Sequence, residues 1–216
     1  MTDPSHVNDP TSSEGGNEDE NENETTAVYD RFASAYEANH ADRSVIGAQR
    51  DLFRDSLDAL DGTAVLDVGC GPGWESAAFR DDGLDVVGID LSSEFLSMAS
   101  ARAPAASFAR MDMRSLGFAA NSFDGIWSCA AVHHVPRADI RTVFAEFDRV
   151  LRPAGVALIT CKKGTARETG ETFGADDTRR FVRYLPDQLR ALATATGFAV
   201  ERLESTDEWN ELLVRA

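Results

Sequence analysis

The chain has 216 residues, 43% of them hydrophobic and 27% charged. That suits one packed domain and excludes a wholly disordered chain. Acidic residues outnumber basic ones 37 to 21, for a formal charge of −16, which makes a polyanionic nucleic acid a poor partner.

Only Lys162 and Lys163 are lysines; the other basic residues are arginines. An Asp-rich, Lys-poor surface is the composition expected of a halophilic, cytoplasmic protein, where salt screens self-repulsion. No run approaches ~18 apolar residues, so no membrane span is expected. The opening residues lack the basic and apolar segments of a secretory signal. Cys70, Cys129 and Cys161 are isolated in apolar surroundings and read as small core residues of a reducing compartment.

In chain order, residues 1–26 are a low-complexity stretch (SSEGGNEDENENETT) without lysine or arginine. They bury too little apolar surface to offset chain entropy, so a disordered acidic tail is expected there, followed by one domain over 27–216. A helix is predicted over 28–39, with Val28, Phe32, Ala35 and Tyr36 on one stripe. A second is predicted over 44–60, ended by Asp61-Gly62. Strands then alternate with helices. The strands are 64–68, 85–89, 107–110, 123–128 and 156–161; the helices are 74–81, 93–102 and 137–151. A polar excursion after Cys161 reads as a loop, Pro186 opens a helix to about 196, and the runs 199–203 and 208–214 read as an antiparallel edge pair. Continuous apolar strands alternating with helices predict an α/β, doubly wound, Rossmann-like sheet covered on both faces.

The sharpest feature is VLDVGCGPG at 65–73, a buried strand feeding a turn with Gly69, Gly71 and Gly73. Glycines let a backbone approach a ligand, here at the carboxyl end of the first strand. The spacing G-x-G-x-G, followed by Trp74, departs from the G-x-G-x-x-G of dinucleotide folds. Asp90 ends the second strand in VVGIDLS, 21 residues after Gly69, where a carboxylate can accept both ribose hydroxyls of an adenosine cofactor.

Together with ARMDMRSLGF, FDGIWSCAAVHHV and LRPAGVALIT, in this order and spacing, the chain resembles the class I S-adenosylmethionine-dependent methyltransferases, and its closing stretch is similar to the small-molecule-type subgroup. The resemblance implies a seven-stranded sheet of order 3-2-1-4-5-7-6 with an antiparallel last strand, and S-adenosylmethionine as cofactor. It implies that Asp67, Gly69, Gly71 and Gly73 lie under the methionyl and ribose portion, that Asp90 binds the ribose and that Leu91 packs on adenine. Asp112 would accept the adenine amino group, with Met113 beside the ring. Ser128 and Cys129 would lie beneath the sulfonium, and Tyr29 and Tyr36 would sit on a helix closing over the cofactor.

The expected reaction is metal-free in-line displacement onto a small-molecule acceptor. His133 and His134, just after the fourth strand, are the candidate bases, since imidazole titrates near neutrality. Packing or loop orientation is the alternative for His134. Tyr184 and Trp209 are candidates to line the acceptor pocket, with plain core packing as the equal alternative. A methyltransferase acting on tRNA or protein, or a noncatalytic S-adenosylmethionine-binding module, remains open at this level.

Overall fold

The computed structural model describes residues 18–165, 167–170 and 172–216. Residues 1–17 of the expected tail lie outside the described residues. Helix α1 spans Glu18–Asn39 and so starts earlier than the helix predicted over 28–39. In this earlier part Thr25 is buried, and its hydroxyl accepts the Arg180 N–H at 3.3 Å. Phe32 (φ −107°, ψ 17°) breaks helical geometry within α1, and Ala33 is buried where Ala35 was expected. The predicted helix over 44–60 is likewise divided. A 3-10 turn, Ser44–Ile46, precedes α2 (Gly47–Asp58), because Ile46 (φ −116°, ψ 14°) leaves helical geometry between them.

The alternating region follows the sequence closely. It contains β1 (Ala64–Val68), α3 (Trp74–Asp81), β2 (Asp85–Asp90), α4 (Ser93–Arg102), β3 (Ser107–Arg110), β4 (Phe123–Cys129), α5 (Ile140–Val150) and β5 (Leu151–Lys162). The excursion read as one loop contains a two-stranded antiparallel ribbon, β6 (Arg167–Thr169) with β7 (Arg180–Val182). Then come α6 (Pro186–Ala195), β8 (Ala199–Ser205) and β9 (Trp209–Arg215). The main sheet has seven strands in the order β3-β2-β1-β4-β5-β9-β8. Strand β9 runs antiparallel to both β5 and β8. This is the Rossmann-like sheet that the alternation and the resemblance predicted.

Alternate strand residues supply the two cores, as the two-residue period of a strand requires. Leu66, Ile126, Ala157 and Ile159 pack with Phe144 and Phe147 of α5. Val65, Trp127, Val156 and Leu158 face the other way, toward Phe53 and Leu57 of α2 and Phe79 of α3. There Phe53, Phe79 and Trp127 form a mutual ring cluster with centroids 5.4–5.5 Å apart. Both faces being covered, the carboxyl ends of β1, β2, β4 and β5 are the open rim where a doubly wound sheet takes ligands. No helix among the described residues is long and apolar enough to cross a membrane.

Candidate active site

Two adjoining cavities open over that rim. The first, about 100 Å³, is lined by Tyr29, Gly69, Gly71, Asp90, Leu91, Asp112, Met113 and His134, among others. The second, about 600 Å³, extends toward β5 and β9 and includes His133, Lys162, Arg179, Phe181 and Trp209. Tyr29, Tyr36, Gly69, Gly71, Cys129 and Ala130 wall both. The structure therefore brings together most of the residues picked out from the sequence.

Gly71 is the working glycine of the loop. Its φ is +52°, and a Cβ built there meets nothing within 4 Å. Its N–H donates to Asp90 Oδ2 at 2.9 Å, while Asp90 Oδ1 accepts the Ser92 N–H at 2.9 Å. Burial pushes the Asp90 carboxyl up from its ordinary range, against the pull of the Ser92, Gly71 and Leu91 N–H groups. Each oxygen of Asp90 keeps a further lone pair for a ligand. Asp112 is more committed. Arg114 holds Oδ2 through Nε and NH2 at 2.9 and 2.7 Å, and the Arg114 N–H holds Oδ1 at 2.8 Å.

Helix α1 supplies the aromatic wall. Tyr29 and Tyr36 pack edge to face at 5.4 Å, and both pack on Phe95 of α4. Asp30 anchors this helix by accepting the Ser92 hydroxyl at 2.6 Å. The histidines are held in different ways. His134 Nδ1 lies 2.8 Å from the Arg180 carbonyl oxygen, which can only accept, so Nδ1 carries the proton. Nε2 is then the acceptor for the Tyr29 hydroxyl at 2.8 Å. Burial lowers the His134 pKa to about 4 and raises that of Tyr29 to about 12. His133 is buried against Phe181 and Trp209, and Nδ1 accepts the Lys162 N–H at 3.4 Å. Burial pulls its pKa well below the usual imidazole range.

Four of the candidate residues do not line either cavity. Asp67 lines neither cavity: it is buried, and Oδ2 accepts the Ser76 hydroxyl of α3 at 2.6 Å. Gly73 (φ +80°) also lies outside them; its missing Cβ admits Ala99 of α4, whose Cβ would stand 2.7 Å away. Ser128 is fully buried on the strand face opposite Cys129, and only Cys129 reaches the cavities. Tyr184 is buried under Arg137 and lines neither cavity, whereas Trp209 lines the second.

Two wall residues carried no sequence signal: Thr25 and Thr26 lay in the expected tail. Arg179 forms a bidentate pair with Asp177 at 2.8 and 2.7 Å. Its guanidinium stands 5.0 Å from the Tyr29 ring and 4.6 Å from Phe173. Among the described residues, no group of three or more His, Cys, Asp or Glu side chains is placed to hold a metal ion.

A family profile described as a methyltransferase domain matches residues 66–159. Over 177 residues the chain is 32% identical to demethylmenaquinone methyltransferase of Renibacterium salmoninarum, covering 81% of this chain and 71% of that one. The chain belongs to the S-adenosylmethionine-dependent methyltransferases. This methyltransferase is also 34% identical over 170 residues to malonyl-acyl-carrier protein O-methyltransferase of Salmonella typhimurium. That match covers 78% of this chain and 66% of that one, so the methyltransferase spans about two thirds of this relative's length. Its fold is shared by 1,6-didemethyltoxoflavin-N1-methyltransferase of Burkholderia thailandensis, solved with 1,6-didemethyltoxoflavin and S-adenosylhomocysteine. The TM-score is 0.74 at 18% identity, covering 97% of this chain and 92% of that one.

Proposed function

We propose that this methyltransferase moves a methyl group from S-adenosylmethionine to a small-molecule acceptor by metal-free in-line displacement, with the cofactor reaching from the first cavity and the acceptor in the second. The observation that carries this is the Asp90–Gly71 pair. A half-buried carboxylate on the cavity wall holds the loop by one N–H, beside a glycine whose missing Cβ leaves open space.

The cofactor, when bound, supplies a methyl group activated by a sulfonium. The residues fit it. Asp90 offers acceptors to ribose hydroxyls, and Leu91 and Met113 offer apolar surface to adenine. Asp112, already tied to Arg114, keeps its remaining acceptor capacity for the adenine amino group. Tyr29 and Tyr36 exclude water from above, and Cys129 and Ala130 form the floor.

His134 acts as a positioning residue rather than a strong base. Its proton is fixed on Nδ1 by the Arg180 carbonyl, and Nε2 holds the Tyr29 hydroxyl proton. With a pKa of about 4, accepting a proton from a group near 10 would cost roughly 8 kcal/mol at ~1.4 kcal/mol per unit. The fixed hydroxyl turns the Tyr29 lone pairs toward the acceptor and holds its X–H group. His133 Nε2 is a second polar contact, on the acceptor side.

Calorimetric titration of S-adenosylmethionine, S-adenosylhomocysteine and NAD against wild type and Asp90→Ala tests the reading. Saturable binding of the first two, lost in a folded Asp90→Ala, supports it. A folded wild type that binds neither at low or molar salt refutes it.

A further inference from the structure

The charges of the second cavity are balanced in pairs, with one exception. Arg43 meets Glu75 at 2.9 Å, and Arg179 is locked on Asp177. Glu204 and Glu211 both meet Arg202, at 2.8 and 3.4 Å. Lys162 has no carboxylate or hydrogen-bond acceptor at its ammonium among the described residues. Instead Nζ lies 5.1 Å from the Trp209 ring and 5.4 Å from the Phe181 ring. Such contacts hold a cation in place without neutralising it. The neighbouring chain position shows the contrast: Lys163 Nζ donates to the Thr206 carbonyl at 2.9 Å. An uncompensated ammonium inside a cavity is unusual in a chain with 37 acidic residues against 21 basic ones.

His133 shares the same two rings, at 5.3 Å from Phe181 and 5.7 Å from Trp209. Its Nδ1 accepts from the Lys162 backbone, so the ring proton is on Nε2, which has no protein partner among the described residues. The cavity therefore presents one ammonium and one neutral N–H donor between two aromatic faces. That donor set matches a carboxylate on an apolar, planar body; a phosphate dianion is better served by guanidinium forks.

We infer that the acceptor of this methyltransferase carries a carboxylate, which docks on Lys162 Nζ and His133 Nε2–H with its apolar body between Phe181 and Trp209. The inference rests on the reading of the second cavity as the acceptor chamber.

The two-lysine composition makes the test direct. Reductive methylation with 13C-formaldehyde gives NMR signals for Lys162, Lys163 and the amino terminus, and Lys162→Arg assigns the first. The full chain, loaded with S-adenosylhomocysteine, is titrated with benzoate and with its neutral counterpart benzamide. The expected result is a saturable shift of the Lys162 signal alone, with benzoate binding at least tenfold tighter than benzamide. Lys162→Met should remove that preference while S-adenosylhomocysteine affinity stays within twofold, which also shows that the variant is folded. A Lys162 signal that ignores benzoate, or a preference that survives in Lys162→Met, overturns the inference and leaves the methyltransferase reading standing. Failure of S-adenosylhomocysteine to bind folded wild type overturns both.

Discussion

Two glycines two residues apart in one loop, Gly71 and Gly73, should fail in different ways when given a methyl group. At Gly71 the added Cβ meets nothing within 4 Å of protein, so Gly71→Ala pays only for the left-handed backbone at φ +52°. That strain is ~1–2 kcal/mol, and the chain already tolerates alanine in this region at Ala130 (φ 56°) and Ala154 (φ 67°). With the cofactor in the first cavity as proposed, the added methyl group meets it, so S-adenosylhomocysteine affinity should fall at least tenfold, about 1.4 kcal/mol. At Gly73 the same methyl group stands 2.7 Å from Ala99 Cβ and 2.8 Å from Ala99 Cα. A backbone atom cannot rotate aside, so overpacking of ~1–3 kcal/mol adds to a similar strain. Gly73→Ala should therefore lose ~2–5 kcal/mol of folding stability. Urea denaturation and calorimetry on both variants separate the two effects. Wild-type cofactor affinity in Gly71→Ala, or equal destabilisation of the two variants, would refute the assignment of Gly71 to ligand and Gly73 to packing.

Removing the Tyr29 hydroxyl leaves His134 Nε2 as a half-buried acceptor without its protein donor. Tyr29→Phe should cost ~1–3 kcal/mol in denaturant unfolding, and the NMR titration midpoint of His134 should rise above about 4. Burial raises the Asp67 pKa to about 7, above the ~3.9 of an unfolded chain. Its protonated form therefore stabilises the fold at low pH, and this contribution is lost as pH rises through 7. Asp67→Asn should match wild type near pH 4 and exceed it at pH 8 by up to ~4 kcal/mol; a constant difference across that range in urea midpoints would contradict the assignment. Asp177→Asn leaves the buried Arg179 guanidinium half-paired and should destabilise by ~3–5 kcal/mol, measured by thermal unfolding.

The parts of the fold legible in the sequence are those whose signal is local. Strand β1, helices α3 and α4 and strand β3 follow from runs of apolar residues and their glycine and capping punctuation. Ser92, for example, caps α4 by accepting the Phe95 N–H. The sequence reading reached the cavity wall where a residue's type and its position at a strand end sufficed, as for Asp90 and Gly71. It failed where direction mattered. Asp67 sits one position from the strand end yet turns to α3, and Ser128 differs from Cys129 only in which face of β4 it occupies. It failed again where a wall is made by distant contact. Thr25 gains its place from the backbone of Arg180, and nothing in a run of Asn and Glu announces that partner.

That contact has a consequence for how the molecule is assembled. The peptide of Arg180 gives its N–H to Thr25, 155 residues away, and its carbonyl to His134. Closing so long a span costs entropy, offset by this bond together with the Asp30–Ser92 and Tyr29–His134 bonds and the packing on Phe95. The sheet can form from nearer neighbours, so the roof over the cavity is set among the last contacts in folding. It is also among the first to open, and a bound ligand bridging floor and roof would slow amide exchange in the first half of α1 most of all.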